Sequence, residues 1–344
     1  MIKSSYFFIL ALILTVSCRE NDDDDPVVLD PNERKVFVLN EGNFQFGNAS
    51  ISVFQPEKSE VKHFVFESNN SGRPIGDVVQ SMEIIDNKGF IVVNNSSKIE
   101  VVDISNFKSL GSISPFNSPR YILPISKNKA YVSDLYEGKI SIIDPEQQTI
   151  IGSISTGGWT EEMHLANNKA FVCHMDSAQI LVIDVQSDQI INRIKTPVEP
   201  NKILQDVNGN LWVACSGGFS EDYTALVQIN PSNEQIIKTI TSNDLSNSIN
   251  NLEMHPSKSS LFYLMSGDLF EISISDSTLP SQALVSGDGK LFYGLGVDVV
   301  ANEIYVSDAI DYQQHGVVFR YDFNGNQISH FRAGIIPGDF IFYK

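Results

Sequence analysis

Apolar and polar residues alternate with a period of two along most of this chain, in short runs separated by turn-forming residues. Residues 129–168 show the unit most plainly, with runs at Ala130–Asp134, Lys139–Asp144, Thr149–Ser155 and Glu161–Ala166. Residues 169–209 then repeat the four runs in the same order. Four short strands in roughly forty residues is the signature of a propeller blade. The second strand recurs as KVFVLN from Lys35, GFIVVN from Gly89, KAYVSD from Lys129, KAFVCH from Lys169, NLWVAC from Asn210, SLFYLM from Ser260 and EIYVSD from Glu303. A third strand follows each copy, from ISVF at Ile51 to VFRYD at Val318. The pattern therefore predicts an all-β chain folded as a seven-bladed β-propeller over residues 35–344. No strand precedes Lys35, and the run Asp339–Tyr343 has no partner in its own repeat. The C-terminal strand is expected to close the first blade as its innermost strand, which removes two exposed sheet edges.

The first eighteen residues differ from the rest. Lys3, the apolar run Tyr6–Leu14 and small residues ahead of Cys18 predict a lipoprotein signal peptide over residues 1–18, too short to span a membrane. Lipid on Cys18 would anchor the mature chain to a membrane; the alternative is a plain signal peptide. Residues 19–34, with Asp22–Asp25, are expected to form an acidic tether. The net charge of −18 and pI near 4.6 argue against nucleic acid as a partner, because such binding needs basic patches. Cys173 and Cys215 fall in neighbouring blades. Facing sheets lie about 10 Å apart and a disulfide needs Cα atoms closer than about 7 Å, so both are expected as buried free thiols.

Loop lengths distinguish the two faces. Tight polar connections such as Asn128-Lys129, Asn167-Asn168 and Pro145–Gln147 mark one face as structural. Longer, variable ones, such as Asn40–Ser50, Gly157–Thr160, Ser216–Thr224 and Ser307–Gly316, emerge opposite, where binding is expected. The residues expected around that mouth are Asn43, Phe44, Phe46, Tyr136, Trp159, Phe219, Tyr223 and Tyr312, with Asn40, Asn94 and Asn95. Aromatic rings with fixed amides suit a bulky, partly apolar ligand or a sugar ring, although rings at such places also plug gaps between blades. A two-residue hairpin at Asn167-Asn168 would set Glu161 opposite His174, with structural pairing favoured over acid–base catalysis. Asp134 and Asp308 occupy the position equivalent to His174. HExxH, GxSxG and CxxC motifs are absent, so the sequence predicts no catalytic residue, no metal site and no cofactor.

The repeat core KAYVSDLYEGKISIIDPEQQTIIGSISTG resembles the YVTN (YncE-like) propeller family. More specifically, NEGN (Asn40–Asn43), IGDVVQSM (Ile75–Met82), SPRYI (Ser118–Ile122), EEM (Glu161–Met163), EIYVSDAIDY (Glu303–Tyr312) and GIIPGDFIF (Gly334–Phe342) resemble a group of surface lipoproteins. That group includes cobalamin-binding propellers that cap TonB-dependent cobalamin transporters. The resemblance implies ligand-binding roles for Asn43, Arg120, Tyr121, Glu162 and Tyr312. It further implies a small-molecule ligand, cobalamin or a related corrinoid first, and a TonB-dependent outer-membrane transporter as partner. The chain would be monomeric apart from that transporter. The acidic run after Cys18 is similar to a surface-export signal, which implies an outer-membrane, cell-surface location. A glycan-binding or protein-interaction propeller, and a metal-assisted lactonase-like enzyme, are the alternatives.

Overall fold

The computed structural model describes residues 27–30, 32–218 and 222–344. Cys18, residues 1–17 expected as a signal peptide, and Phe219 lie outside the described residues. Seven antiparallel sheets follow one another around a central axis. Their innermost strands are Val79–Ile85, Pro119–Ser126, Thr160–Ala166, Pro200–Gln205, Ile249–Met254 and Phe292–Asp298 for blades two to seven, and Pro337–Tyr343 for blade one.

Burial explains why the second and third strands were easiest to follow along the chain. Val36 to Asn40, Ala170 to His174 and Leu211 to Cys215 are buried at every residue, because neighbouring blades cover both faces. The outermost strands, such as Thr149–Ser155, alternate between exposed and half-buried positions. The core is accordingly divided among the seams rather than gathered in one centre. Phe171, Val182, Val213 and Val227 fill the seam between blades four and five. Val36, Val38, Phe54 and Phe340 of blade one meet Tyr305, Val318 and Ala333 of blade seven, which closes the ring.

That last seam rests on the C-terminal strand. It pairs Lys35 with Tyr343, Phe37 with Ile341 and Leu39 with Asp339, as the unpartnered termini predict. The two blades approach closely enough to require glycine. A Cβ on Gly296 would lie 2.9 Å from the Cβ of Phe340, and one on Gly316 would lie 2.5 Å from the Cδ of Pro337. The fully buried Asn40 ties the same seam. Its amide donates to the Ser50 carbonyl (3.2 Å) and the Ser52 hydroxyl (3.1 Å), and its Oδ1 accepts from the Gly334 N–H (2.9 Å).

Blade six departs from the repeat. It has three strands, and its outer edge is met only by a bridge between Leu269 and Val285. The segment after Ser273 contains Asp276 and Pro280 and lacks apolar alternation, so it cannot continue a ladder. In five other blades the outermost strand carries a β-bulge, and the extra residue is an exposed aliphatic: Leu110, Ile151, Ile191, Ile237 and Ile328. Bulges of this kind twist an edge strand away from pairing with another chain. The hairpin at Asn167-Asn168 forms as expected, both residues at positive φ. Cys173 and Cys215 are buried and free.

Candidate functional site: the channel mouth

Every innermost strand contains one extra residue near its start. The registers Val79↔Val93 then Ser81↔Val92, and Pro200↔Cys215 then Lys202↔Ala214, show the slip, and it recurs in all seven blades. A bulge re-aims its side chain. The residues at or beside it are Gln80, Arg120, Glu161, Asn201, Asn250, Tyr293 and Gly338, one per blade and mostly polar.

Four of them, Gln80, Arg120, Glu161 and Tyr293, reach across blade boundaries. Arg120 holds Glu161 with Nε to Oε1 at 2.8 Å and Nη2 to Oε2 at 3.1 Å, while its Nη1 donates to Gln80. Gln80 donates to the Tyr121 hydroxyl at 3.3 Å. The indole N–H of Trp159 also donates to Glu161, so five residues of blades two, three and four (Gln80, Arg120, Tyr121, Trp159 and Glu161) are locked into one network. Burial opposes the charge on Arg120, but Glu161 more than offsets it and holds its pKa above the ordinary guanidinium value.

In blade one the ring position is Gly338, and the neighbouring loop fills the gap. A Cβ there would sit 2.5 Å from the Oε1 of Glu41. The Glu41 carboxylate occupies that slot and accepts from the Tyr293 hydroxyl at 2.9 Å. Burial pushes its pKa up to about 7, against the pull of Tyr293 and Arg120. The same loop is fixed on both sides, with Asn43 donating to the Tyr312 carbonyl and the Gln45 N–H donating to Asp77 at 2.8 Å. Phe44 and Phe46 stand exposed on this pinned loop, as do Tyr136, Tyr223 and Tyr312 on theirs.

Below the ring the channel is acidic. Lys202 donates to Glu162 and lies 5.6 Å from the Tyr121 ring centroid, whose other neighbour is Arg120 at 5.7 Å. Burial raises Glu253 to about 8, Glu83 to about 7 and Asp339 to about 6. Lys202 pulls Glu253 and Asp339 back towards their ordinary values, and its own pKa is raised by Glu162 despite burial.

Several expected roles change on this geometry. Glu161 does not face His174; the bulge after Thr160 slips the register by one, so Thr160 faces His174 and Glu161 turns to Arg120. His174 is buried, its Nδ1 paired with the Ser177 hydroxyl at 2.8 Å. Asp134 and Asp308 hold loop backbone: Asp134 accepts from the Ser118 and Tyr136 N–H groups, both at 2.8 Å, and Asp308 from Leu291 (3.0 Å) and Ile310 (2.8 Å). Asn40 and Asn94 are buried seam contacts rather than mouth amides, Asn94 donating to the Pro119 carbonyl at 2.9 Å. Arg120, Tyr121, Trp159, Glu161 and Glu162 are brought together. Gln80, Lys202, Glu41, Tyr293 and Asp339 were missed; the only signal for Gln80, Tyr293, Lys202 and Asp339 was a polar or tyrosine residue one or two places past the start of an innermost strand, and Glu41 in its loop carried none. Among the described residues, no group of three or more His, Cys, Asp or Glu is placed to hold a metal ion.

DUF5074, described as a domain of unknown function, matches residues 34–336. The chain belongs to the DUF5074 family. No curated protein sequence matches this DUF5074 chain. Solved structures share its fold at low identity. A protein from Lactobacillus plantarum is 11% identical with a TM-score of 0.70, covering 91% of this chain and 99% of its own. A quinonprotein alcohol dehydrogenase-like protein from Bacteroides thetaiotaomicron is 13% identical with a TM-score of 0.68, over 90% and 78% of the two chains. A candidate 6-phosphogluconolactonase from Bacteroides uniformis is 11% identical with a TM-score of 0.69, over 90% and 100%. At such identities the likeness shows a propeller shared by proteins named as enzymes and by others, and function has to be argued from the site.

Proposed function

We propose that this DUF5074 propeller is a non-enzymatic binding protein whose mouth captures a bulky nutrient, cobalamin or a related corrinoid first, for a TonB-dependent outer-membrane transporter. A lipid on Cys18 would hold it at the cell surface. The observation that carries the binding role is the bulge ring. Guanidinium, amide and carboxylate groups from successive blades converge inside a rim of exposed aromatics. A corrin macrocycle offers a flat apolar face for such rings and a periphery of amides for such planar polar groups. The mouth carboxylates also have structural partners: Glu161 is held by Arg120 and Trp159, and Glu41 by Tyr293. That engagement favours a fixed recognition surface over a proton-transfer centre. Only the family resemblance points to a corrinoid in particular.

Titration of micromolar protein with cobalamin and cobinamide tests the proposal by heat and absorbance. Saturable binding is expected, with Trp159→Ala weakening it by about 2 kcal/mol. The absence of any saturable change with either ligand refutes the corrinoid assignment.

A further inference from the structure

A second cavity, of about 380 Å³, lies on the top face at the seam between blades five and six. Its walls come from Glu199 in the loop entering blade five, Ser216 at the end of that blade's second strand, and Leu245–Ser248 in the loop entering blade six. Asn250, the bulge residue of blade six, forms its inner side. The lining is one carboxylate, three serine hydroxyls, two amides, a glycine and one leucine. Among the described residues, no Lys, Arg or aromatic side chain lines it.

This composition selects among ligand classes. A phosphate or carboxylate ligand would meet Glu199 with no compensating cation. A large apolar ligand would leave hydroxyls and amides desolvated without partners. A neutral, hydroxyl-rich ring satisfies both constraints. Glu199 has one oxygen committed, accepting from the Ser216 hydroxyl, while Oε1 has no protein donor among the described residues. Asn250 accepts from the Ser248 hydroxyl at 3.0 Å, and its amide N–H₂ group has no acceptor among them. A carboxylate acceptor and an amide donor in the same lining match adjacent sugar hydroxyls, and exposed Leu245 offers a surface for the C–H face of the ring. The volume falls within the range of about 300 to 1,000 Å³ typical of small-molecule sites.

Glu199 sits at φ 57°, a left-handed conformation that glycine adopts freely; Val78 and Ile336 share it at the equivalent place before the innermost strands of blades two and one, so it belongs to the repeat.

We propose that this cavity is a carbohydrate subsite that takes a neutral monosaccharide or one unit of a disaccharide, with Glu199 and Asn250 as its polar contacts. It goes beyond the corrinoid assignment and does not rest on it. Saturation-transfer NMR with glucose, galactose, mannose, N-acetylglucosamine, maltose and lactose, and with glucose 6-phosphate for comparison, tests it on the full-length protein. At least one neutral sugar should give saturable binding, weakened roughly tenfold by Glu199→Gly, the equivalent of one charge-assisted hydrogen bond. That variant relieves the positive φ, so its melting temperature should hold or rise while affinity falls. Asn250→Ala, at an exposed position, repeats the test without touching the strained turn. No saturable binding of any neutral sugar, unchanged affinity in both variants, or tighter binding of glucose 6-phosphate than of glucose would overturn the proposal.

Discussion

Replacing Glu253 with glutamine should stabilise this protein in alkaline solution and leave it nearly unchanged in acid. Glu253 lines the channel half-buried, and desolvation raises its pKa from 4.5 to about 8, with Lys202 opposing and Glu162 and Asp339 reinforcing the shift. In the unfolded chain the carboxyl ionises near its ordinary value. Between the two values the folded state holds a proton that the unfolded state has released, so stability falls as pH rises and levels off above about 8. At about 1.4 kcal/mol per unit, the gap corresponds to roughly 3 to 5 kcal/mol once the surroundings relax around the charge. Glu41 and Glu83, raised to about 7, and Asp339, raised to about 6, add slopes of the same sign. Urea denaturation at about pH 5 and about pH 9, at constant ionic strength, reads both effects. The wild type should lose stability between these values, and Glu253→Gln should lose less, ending roughly 3 kcal/mol above the wild type at the higher pH. Equal wild-type stability at both pH values, or a variant that is weaker at both, refutes the placement of uncompensated carboxyls in this channel.

Other perturbations have equally definite outcomes. Deleting Asp339–Lys344 removes the pairing partners of Lys35–Leu39 and the buried Phe340, and should lower the melting temperature by roughly 10 °C or more; an unchanged melting curve would contradict the closure. Gly338→Ala should expel the Glu41 carboxylate from the ring and cost about 1 to 3 kcal/mol through the lost Tyr293 hydrogen bond, measured by denaturation. Arg120→Met strands the buried Glu161 and should cost roughly 3 to 5 kcal/mol, most of it recovered by adding Glu161→Gln; no recovery in the double variant would mean that Arg120 acts elsewhere. Cys18→Ala should abolish fatty-acid labelling and membrane retention, and a variant that stays in the membrane fraction would remove the anchor.

The repeat and its closure could be read from the chain because the second and third strands are covered on both faces, which writes long apolar runs such as KAFVCH and ILVID into the sequence. Turn residues then fixed the hairpins, and Asn167-Asn168 does what its composition dictates. The ring was harder to see. A bulge adds one residue without changing the apolar pattern on either side, and the residues it turns inward are polar: Gln80, Arg120, Asn201 and Asn250 look like ordinary strand-entry residues. The Glu161–His174 pairing failed for that reason alone, since hairpin counting has no place for an inserted residue. Arg120, Tyr121 and Glu162 were reached through family resemblance, whereas their partners Gln80 and Lys202 were not. Blade six lost its outer strand where the sequence had already stopped alternating after Ser273.

The closing seam also sets an order on folding during synthesis. Asn40 and Gly334 share a hydrogen bond across 294 positions of chain, and Lys35–Asn40 waits for Pro337–Tyr343 before its inner edge is covered. Blades two to six can each form from residues close in sequence, but the circle stays open until Pro337–Tyr343 leaves the ribosome. Until then the nascent chain carries an unpaired edge beside Val36 and Val38, a template for aggregation with its neighbours. The contact that completes the ring is thus the last to become possible, and the closed propeller exists only once Pro337–Tyr343 has been made.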